Sequence, residues 1–433
     1  MTPPPAKSRV ANPLQVRQEL NRHGLTKDLV CFDSFSHRIM LVRPIPRPGL
    51  KAPKSFEPRE WQDTDDTALT EHLNSRGFVR ISRGMVREVI DLEARAHAYH
   101  PIQDYLQGLQ WDGVKRLSRF LVDYCGAAIN GDTGDEKAAA RQYVEAVTRC
   151  LFISAVARVF EPGCKNDHAV ILEGGQGTLK SSLLRTLAVR DAWFSDSLPH
   201  NLGSRDARQH LMGVWIVELA EIAQFKKSEV EAVKDFLSCQ TDRFRPPYGR
   251  SDIVAPRQCV LVGSTNSDVY FHDTTGNRRF WPVRITAIKL GDIRKIVNQL
   301  WAEAYDAWQG GEKWWLSSKI EKTAAMHQDD RLERDPWHDD IAMYVDSRVT
   351  GNQFTTADVL KLLDIPVARR ERTHEMRVGA VLRLLGCTRR KQWNKESGKP
   401  RWVYQKGVPD IEEEAEEREE NSGFKGGFNA RRF

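Results

Sequence analysis

The sequence predicts an α/β protein: a parallel-sheet core, a small mostly helical domain before it and a winged helix after it. Three observations carry this. Strand-like apolar runs alternate with helical segments between residues 138 and 320, one of those runs enters a glycine-rich turn, and two helical stretches near the end lead into a hairpin pattern.

Taken in chain order, residues 1–28 are Pro-rich and then polar, the composition of a flexible leader. From Leu29 to Val42, Phe32, Phe35, Ile39 and Leu41 alternate with polar residues, which predicts a short hairpin before the prolines Pro44, Pro46, Pro48 and Pro53. Thr64-Asp65-Asp66 caps a helix over Trp61–Leu73, and a second helix follows over Arg83–His97. Residues 29–128 are therefore expected to form the small N-terminal domain, and they carry no catalytic constellation. A polar linker over Asn130–Glu136 leads to a helix over Ala138–Phe160, whose apolar positions include Val144, Val147, Leu151 and Val156.

The core domain, residues 138–320, is organised around Val170-Ile171-Leu172-Glu173-Gly174-Gly175-Gln176-Gly177-Thr178-Leu179-Lys180-Ser181-Ser182. Strand, glycine turn, lysine, two hydroxyls and a helix stand in that order. Glycines let backbone N–H groups turn inward to phosphate oxygens, and the following helix adds its positive end. Gly174, Gln176, Gly177, Thr178, Lys180, Ser181 and Ser182 are thus candidates for holding a nucleoside triphosphate, with Lys180 at the β/γ-phosphates and Ser181 on Mg²⁺. Leu179 stands where G-x-x-x-x-G-K-[ST] has its second glycine. The competing reading is an ordinary glycine turn before a helix.

Three further strands follow: Ala192–Asp196, Gly213–Glu218 and Arg257–Asn266. Continuous apolar runs suit strands covered on both faces, and sites in such sheets lie at strand C-terminal ends. Glu218, Ser264 and Asn266 all stand at those ends. Glu218 can hold Mg²⁺ and polarise water, and Asn266 can sense the γ-phosphate. Glu221 is either a second catalytic carboxylate or a helix-start carboxylate favoured by the dipole. Arg278 and Arg279 follow Gly276-Asn277 and precede Phe280-Trp281. They read as a solvated hairpin tip or as an arginine finger reaching a neighbouring subunit. Between the last two strands, Lys234, Arg243, Arg245 and Arg250 surround Phe244 and Tyr248. That set suits a grip on single-stranded DNA, or a charged surface hairpin.

The last folded region, residues 336–406, has a capped helix at Phe354–Leu363, a second at Met376–Leu385, and a hairpin turning at Glu396–Pro400. Helix, helix and hairpin make a winged helix, and Arg389, Arg390 and Lys391 suit DNA phosphates, although such a fold also serves protein contacts. Residues 407–433 are an acidic tail.

Composition fits a soluble body with polyanion partners: 40% hydrophobic, 29% charged, net charge +6 despite the acidic tail. No run approaches a membrane span and the first residues are no secretory signal, so a cytoplasmic location is expected. Seven scattered cysteines without C-x-x-C spacing predict neither zinc nor disulfides.

The phosphate-loop run, Trp215–Glu221, Asp242–Arg250, Ser264-Thr265-Asn266 and Gly276–Pro282 together resemble the virulence-associated E family of phages and mobile elements. The resemblance spans about residues 95–320. It implies a P-loop NTPase core like that of AAA+-type superfamily 3 helicases, a ring that is a hexamer, and a separate primase or polymerase as partner. It also implies roles: Lys180 and Ser181 on phosphate and metal, Glu218 and Glu221 as the acidic motif, Asn266 as sensor, Arg278 or Arg279 as finger. The expectation is therefore an ATP- and Mg²⁺-dependent DNA helicase; the rivals are an origin-binding initiator that uses nucleotide as a switch, and a small-molecule kinase.

Overall fold

A computed structural model describes residues 9–22, 29–47, 53, 55–199, 201–245, 252–271, 276–333, 335–347, 353–394 and 398–406. The chain divides into two compact units, Met1–Arg331 and Leu332–Phe433.

The centre of the first unit is a five-stranded parallel sheet. Its strands are β1 (Ala169–Glu173), β2 (Phe194–Ser195), β3 (Ile216–Leu219), β4 (Val260–Thr265) and β5 (Phe280–Arg284), in the spatial order β5-β1-β4-β3-β2. Every residue of β1, β3 and β4 is buried, as expected for strands with both faces covered. β4 lies between β1 and β3, with Val262 opposite both Val170 and Glu218. The sheet order therefore brings three chain segments, far apart in sequence, to one edge.

The long helix α1, Gly134–Phe160, packs on this sheet and adds Val144, Val147, Leu151 and Val156 to its apolar core. It begins inside the stretch expected as linker, because Thr133 and Glu136 form a reciprocal cap: Thr133 Oγ1 accepts from Glu136 N and the Glu136 carboxylate accepts from Thr133 N, both at 3.2 Å. The helix α2, Lys180–Leu187, follows the glycine turn and buries Leu183, Leu184 and Leu187. Trp215 and Trp301 stack at 4.2 Å between the sheet and the helix Leu290–Gln309.

The N-terminal region differs from expectation in two ways. Residues 13–22 of the supposed leader form a helix whose Val16 and Leu20 are fully buried in a separate small core. That core also holds a sheet as well as helices: Val30–Asp33 pairs with Arg38–Leu41 antiparallel and with Ala98–Tyr99 parallel. Its apolar cluster ends at Ala94, whereas Ile102, Leu106, Leu117 and Phe120 belong to the core of the large sheet. The apolar cluster of this region thus gives way to that of the large sheet near residue 100, since apolar spacing alone does not say which core a helix joins.

The second unit contains helices His338–Asp346, Thr356–Leu362 and Arg372–Leu384, then an antiparallel hairpin of Cys387–Asn394 with Lys399–Lys406. Ile341, Phe354, Val378, Leu382 and Tyr404 form its core. The tail beyond residue 406 lies outside the described residues.

Candidate functional site

The C-terminal edge of the central sheet gathers the predicted groups. β1 ends at Glu173, and the turn from Gly174 to Leu179 carries the chain to α2. A side chain at Gly174 would put its Cβ 2.8 Å from the Ile285 carbonyl oxygen, so only glycine fits there. Gly177 (φ 81°) and Leu179 (φ 65°) both adopt left-handed backbone. Leu179, which replaces a glycine of the motif, takes up the backbone conformation that a glycine would favour. Left-handed backbone costs a non-glycine residue on the order of 1–2 kcal/mol.

Lys180 is 8% exposed and its ammonium, with three N–H groups to donate, lies within hydrogen-bond distance of four oxygens: Gly174 O at 2.7 Å, Gly175 O at 3.2 Å, Thr178 Oγ1 at 3.2 Å and Asn266 Oδ1 at 2.8 Å. Burial lowers its pKa, while Glu221 and Glu218 act against that. Asn266, at the end of β4, also donates from Nδ2 to Glu221 Oε1 at 2.8 Å. One amide therefore joins the lysine to a carboxylate. Glu221 itself sits in left-handed backbone (φ 51°), a strained conformation for a residue with a side chain and common where a group must be aimed.

Glu218 is 1% exposed at the end of β3. Its Oε1 accepts from Ser181 Oγ at 2.9 Å and Ser264 Oγ at 2.6 Å, while its Oε2 is buried without a hydrogen-bond partner. Beside it opens a cavity of about 380 Å³, lined in part by Asp196, Leu202, Phe225 and Glu229. A larger hollow of about 670 Å³, between Phe35 and His210, touches none of these groups.

Gln176 is exposed, and Thr178 Oγ1 bonds Gly175 O at 2.9 Å within the turn. Ser182 is half-buried in the first turn of α2. Arg278 and Arg279 lie on a short turn of 3-10 helix, Asn277–Arg279, just before β5. The Arg279 guanidinium is tied to Ser238 Oγ at 3.0 Å, whereas Arg278 is exposed, and its carbonyl accepts from Trp281 Nε1 at 3.2 Å.

The basic set between β3 and β4 is altered by the structure. Lys234 is 2% exposed on the helix Lys227–Ser238, ion-paired with Glu231 at 2.7 Å, and its stem lies against Gly276. Helical spacing puts it on the face of Val230 and Val233, so it is a packed residue and not a surface cation. Thr241–Phe244 pairs antiparallel with Ile253–Pro256, and period-2 alternation points Arg243 outward while burying Asp242 and Phe244. Phe244, expected to stack on bases, is thus in the core. Arg245 is exposed; Tyr248 and Arg250 lie outside the described residues. In the second unit Arg389 and Lys391 are exposed and Arg390 is half-buried.

Sequence reasoning missed the cluster under the turn. Glu173, 1% exposed, holds Arg331 through two bonds of 2.8 Å and accepts from Tyr270 Oη at 2.7 Å. The Arg331 carbonyl accepts from Tyr270 N and Phe271 N, both at 3.0 Å. The available signal was a single carboxylate ending a fully apolar strand, which demands a buried partner.

Fold and site together define a mixed α/β protein whose polar groups converge at the C-terminal edge of a parallel sheet. The chain belongs to the virulence-associated protein E-like domain family, which matches residues 106–333, just over half of its length. It is also similar to two solved apo structures of the C-terminal region of NrS-1, at 14% and 12% identity and TM-scores of 0.47 and 0.49, each covering 92% of this chain and 100% of the other. No curated protein matches it. Among the described residues no helix is long and apolar enough to cross a membrane.

Proposed function

We propose that this chain is an ATP-dependent DNA helicase of phage or mobile-element replication, hydrolysing ATP between the subunits of a hexameric ring. The observation that carries the reading is the convergence of Lys180, Ser181, Glu218, Asn266 and Glu221 at one sheet edge, directly after a glycine turn. That is the equipment of a P-loop NTPase: backbone N–H groups of the turn and the α2 N-terminus for phosphate, a lysine for the β/γ-oxygens, a hydroxyl and a carboxylate for the ion. A winged helix in the second unit and the exposed Arg243 and Arg245 would supply contacts to DNA backbone, with a primase or polymerase acting as a separate chain.

Ser181 and Glu218 fit Mg²⁺. Glu218 is acidic, has a buried oxygen without a partner, and already gathers Ser181. One carboxylate and one hydroxyl suffice for an ion that keeps several waters. When bound, Mg²⁺ supplies positive charge against the developing charge on the phosphate oxygens. Lys180 neutralises the same charge from the loop side, and a phosphate oxygen arriving there competes with Asn266 Oδ1 for its protons. Asn266 then transmits occupancy to Glu221, which it holds through Nδ2. Glu218 or Glu221 orients and deprotonates the attacking water.

The test is ATP hydrolysis with and without single-stranded DNA, for the natural protein and for Lys180→Ala. Hydrolysis that rises with DNA and disappears in the variant is expected. Unchanged turnover in Lys180→Ala would remove the ATPase reading of this loop. ATP binding with no hydrolysis in either condition would leave only an assembly switch.

A further inference from the structure

Beyond its root, the C-terminal hairpin presents a face that its own unit leaves exposed. In an antiparallel pair, residues directly opposite share a face, and so do residues two apart. The register sets Arg389 opposite Tyr404, Lys391 opposite Trp402 and Trp393 opposite Pro400. Arg389, Lys391, Trp393, Pro400, Trp402 and Tyr404 therefore lie on the same side of the ribbon. At its root this side is fixed: Tyr404 is 3% exposed, is bonded through its backbone to Phe354, and its hydroxyl lies over Gly379. Beyond the root the side chains are open. Trp393 is 64% exposed and Trp402 is 47% exposed, two of the largest apolar groups in the chain left in water. Trp402 is flanked by cations, with the Arg389 guanidinium 4.0 Å and the Lys391 ammonium 6.0 Å from its ring centre.

We propose that this face binds unpaired nucleotides, stacking bases on Trp393 and Trp402 while Arg389 and Lys391 take the phosphates. The inference rests on the nucleic-acid part of the function proposed above and makes it specific: the hairpin holds a separated strand and does not read a duplex groove. Charge complementarity selects the occupant. An apolar partner protein would leave two cations without counter-charges, whereas single-stranded DNA offers both flat apolar bases and an anionic backbone. A paired base offers its face only at a duplex end, so the tryptophans give little to a continuous helix. The Tyr404–Phe354 backbone bonds fix the root of the hairpin before binding, which limits the ordering cost of the backbone.

The experiment measures affinity of the full-length protein, without nucleotide, for a fluorescent thymidine oligomer and for a blunt duplex of equal length. Trp393→Ala with Trp402→Ala should weaken single-strand binding by about tenfold or more, since each stacked base contributes roughly that much. Duplex binding should change by less than about twofold, and the salt slope should persist because the phosphate contacts remain. Trp393→Phe with Trp402→Phe should recover most of the loss, which a merely misfolded hairpin would not. Equal losses on both substrates, or no loss on the single strand, overturn the proposal, as does a change in oligomeric state that alone accounts for the lost affinity. Because no ATP is present, a failed ATPase reading leaves this result standing, and a failed hairpin leaves hydrolysis to be judged separately.

Discussion

Leu179 and Glu218 are where single side chains decide most. Leu179 holds left-handed backbone with its side chain 48% exposed, so it gains little burial in return for its strain. Leu179→Gly relieves that strain but frees the unfolded chain, effects of about 1–2 and about 0.5–1 kcal/mol. The variant is expected to be as stable or slightly more stable by urea denaturation, with hydrolysis preserved or raised. A fall in turnover would show that this turn depends on leucine for its geometry. Glu218→Gln keeps the shape and the bonds from Ser181 and Ser264 while removing the charge. ATP should remain bound and turnover should drop by at least about a hundredfold, the usual scale for a lost acid–base group. If Glu218→Gln still hydrolyses and Glu221→Gln does not, the base is Glu221, and its strained backbone is what aims it.

The junction between β1 and the glycine turn is held by the bidentate pair of Glu173 and Arg331, with Tyr270 as third partner. Removing one member of a buried pair strands the other charge, a cost of about 3–5 kcal/mol. Arg331→Met should therefore lower unfolding free energy by that amount, and adding Glu173→Gln should return most of it. A loss under about 1 kcal/mol would mean that water already reaches Glu173. At the opposite end of β1, His168 stacks on Trp281 at 3.8 Å, and burial lowers its pKa from 6.5 to about 3. The unfolded chain takes up this proton below about pH 6.5 and the folded chain does not until about pH 3. Its contribution is thus fully present above 6.5 and is lost as pH falls, at up to about 1.4 kcal/mol per pH unit. Urea midpoints should fall less steeply from pH 6.5 to 4 in His168→Phe; parallel slopes would show that the ring is protonated in the fold. At this scale the sequence was most legible. Strands β1, β3 and β4 were marked by continuous apolar runs, Lys180 and Ser181 by the glycine turn before them, and Glu218 and Asn266 by their place at strand ends. What it hid was long-range or face-dependent: the partnership of Glu173 with Arg331 spans 158 positions, and the burial of Lys234 and Phe244 depends on which side of a helix or strand faces inward. The N-terminal helix Pro13–Arg22 was hidden in another way, since Val16 and Leu20 gain their value only from a core built elsewhere.

For the whole molecule, the arginine pair carries the decisive expectation, because a finger acts only if the protein assembles. Arg279 is committed within its own chain to Ser238, while Arg278 is exposed on the same turn, which Phe280 and Trp281 anchor in the sheet. Arg278 is thus the member that a shared finger would use, and a finger contributes a factor of ~10³ or more to turnover. Arg278→Ala should abolish most hydrolysis with ATP affinity nearly intact. Arg279→Ala should act more weakly and through local stability, since it removes an internal bond. Mixing Arg278→Ala with Lys180→Ala should then restore part of the activity: in a mixed ring, some interfaces pair an intact lysine from one subunit with an intact Arg278 from the next. The measurement is turnover of the mixture against the mean of the two separate variants, with mixed assembly verified by differently tagged subunits. Rescue above that mean requires a shared site. If neither alanine variant impairs turnover, the arginines are surface residues or DNA contacts; if an impaired variant shows no rescue in rings proven to be mixed, the finger is not shared in trans.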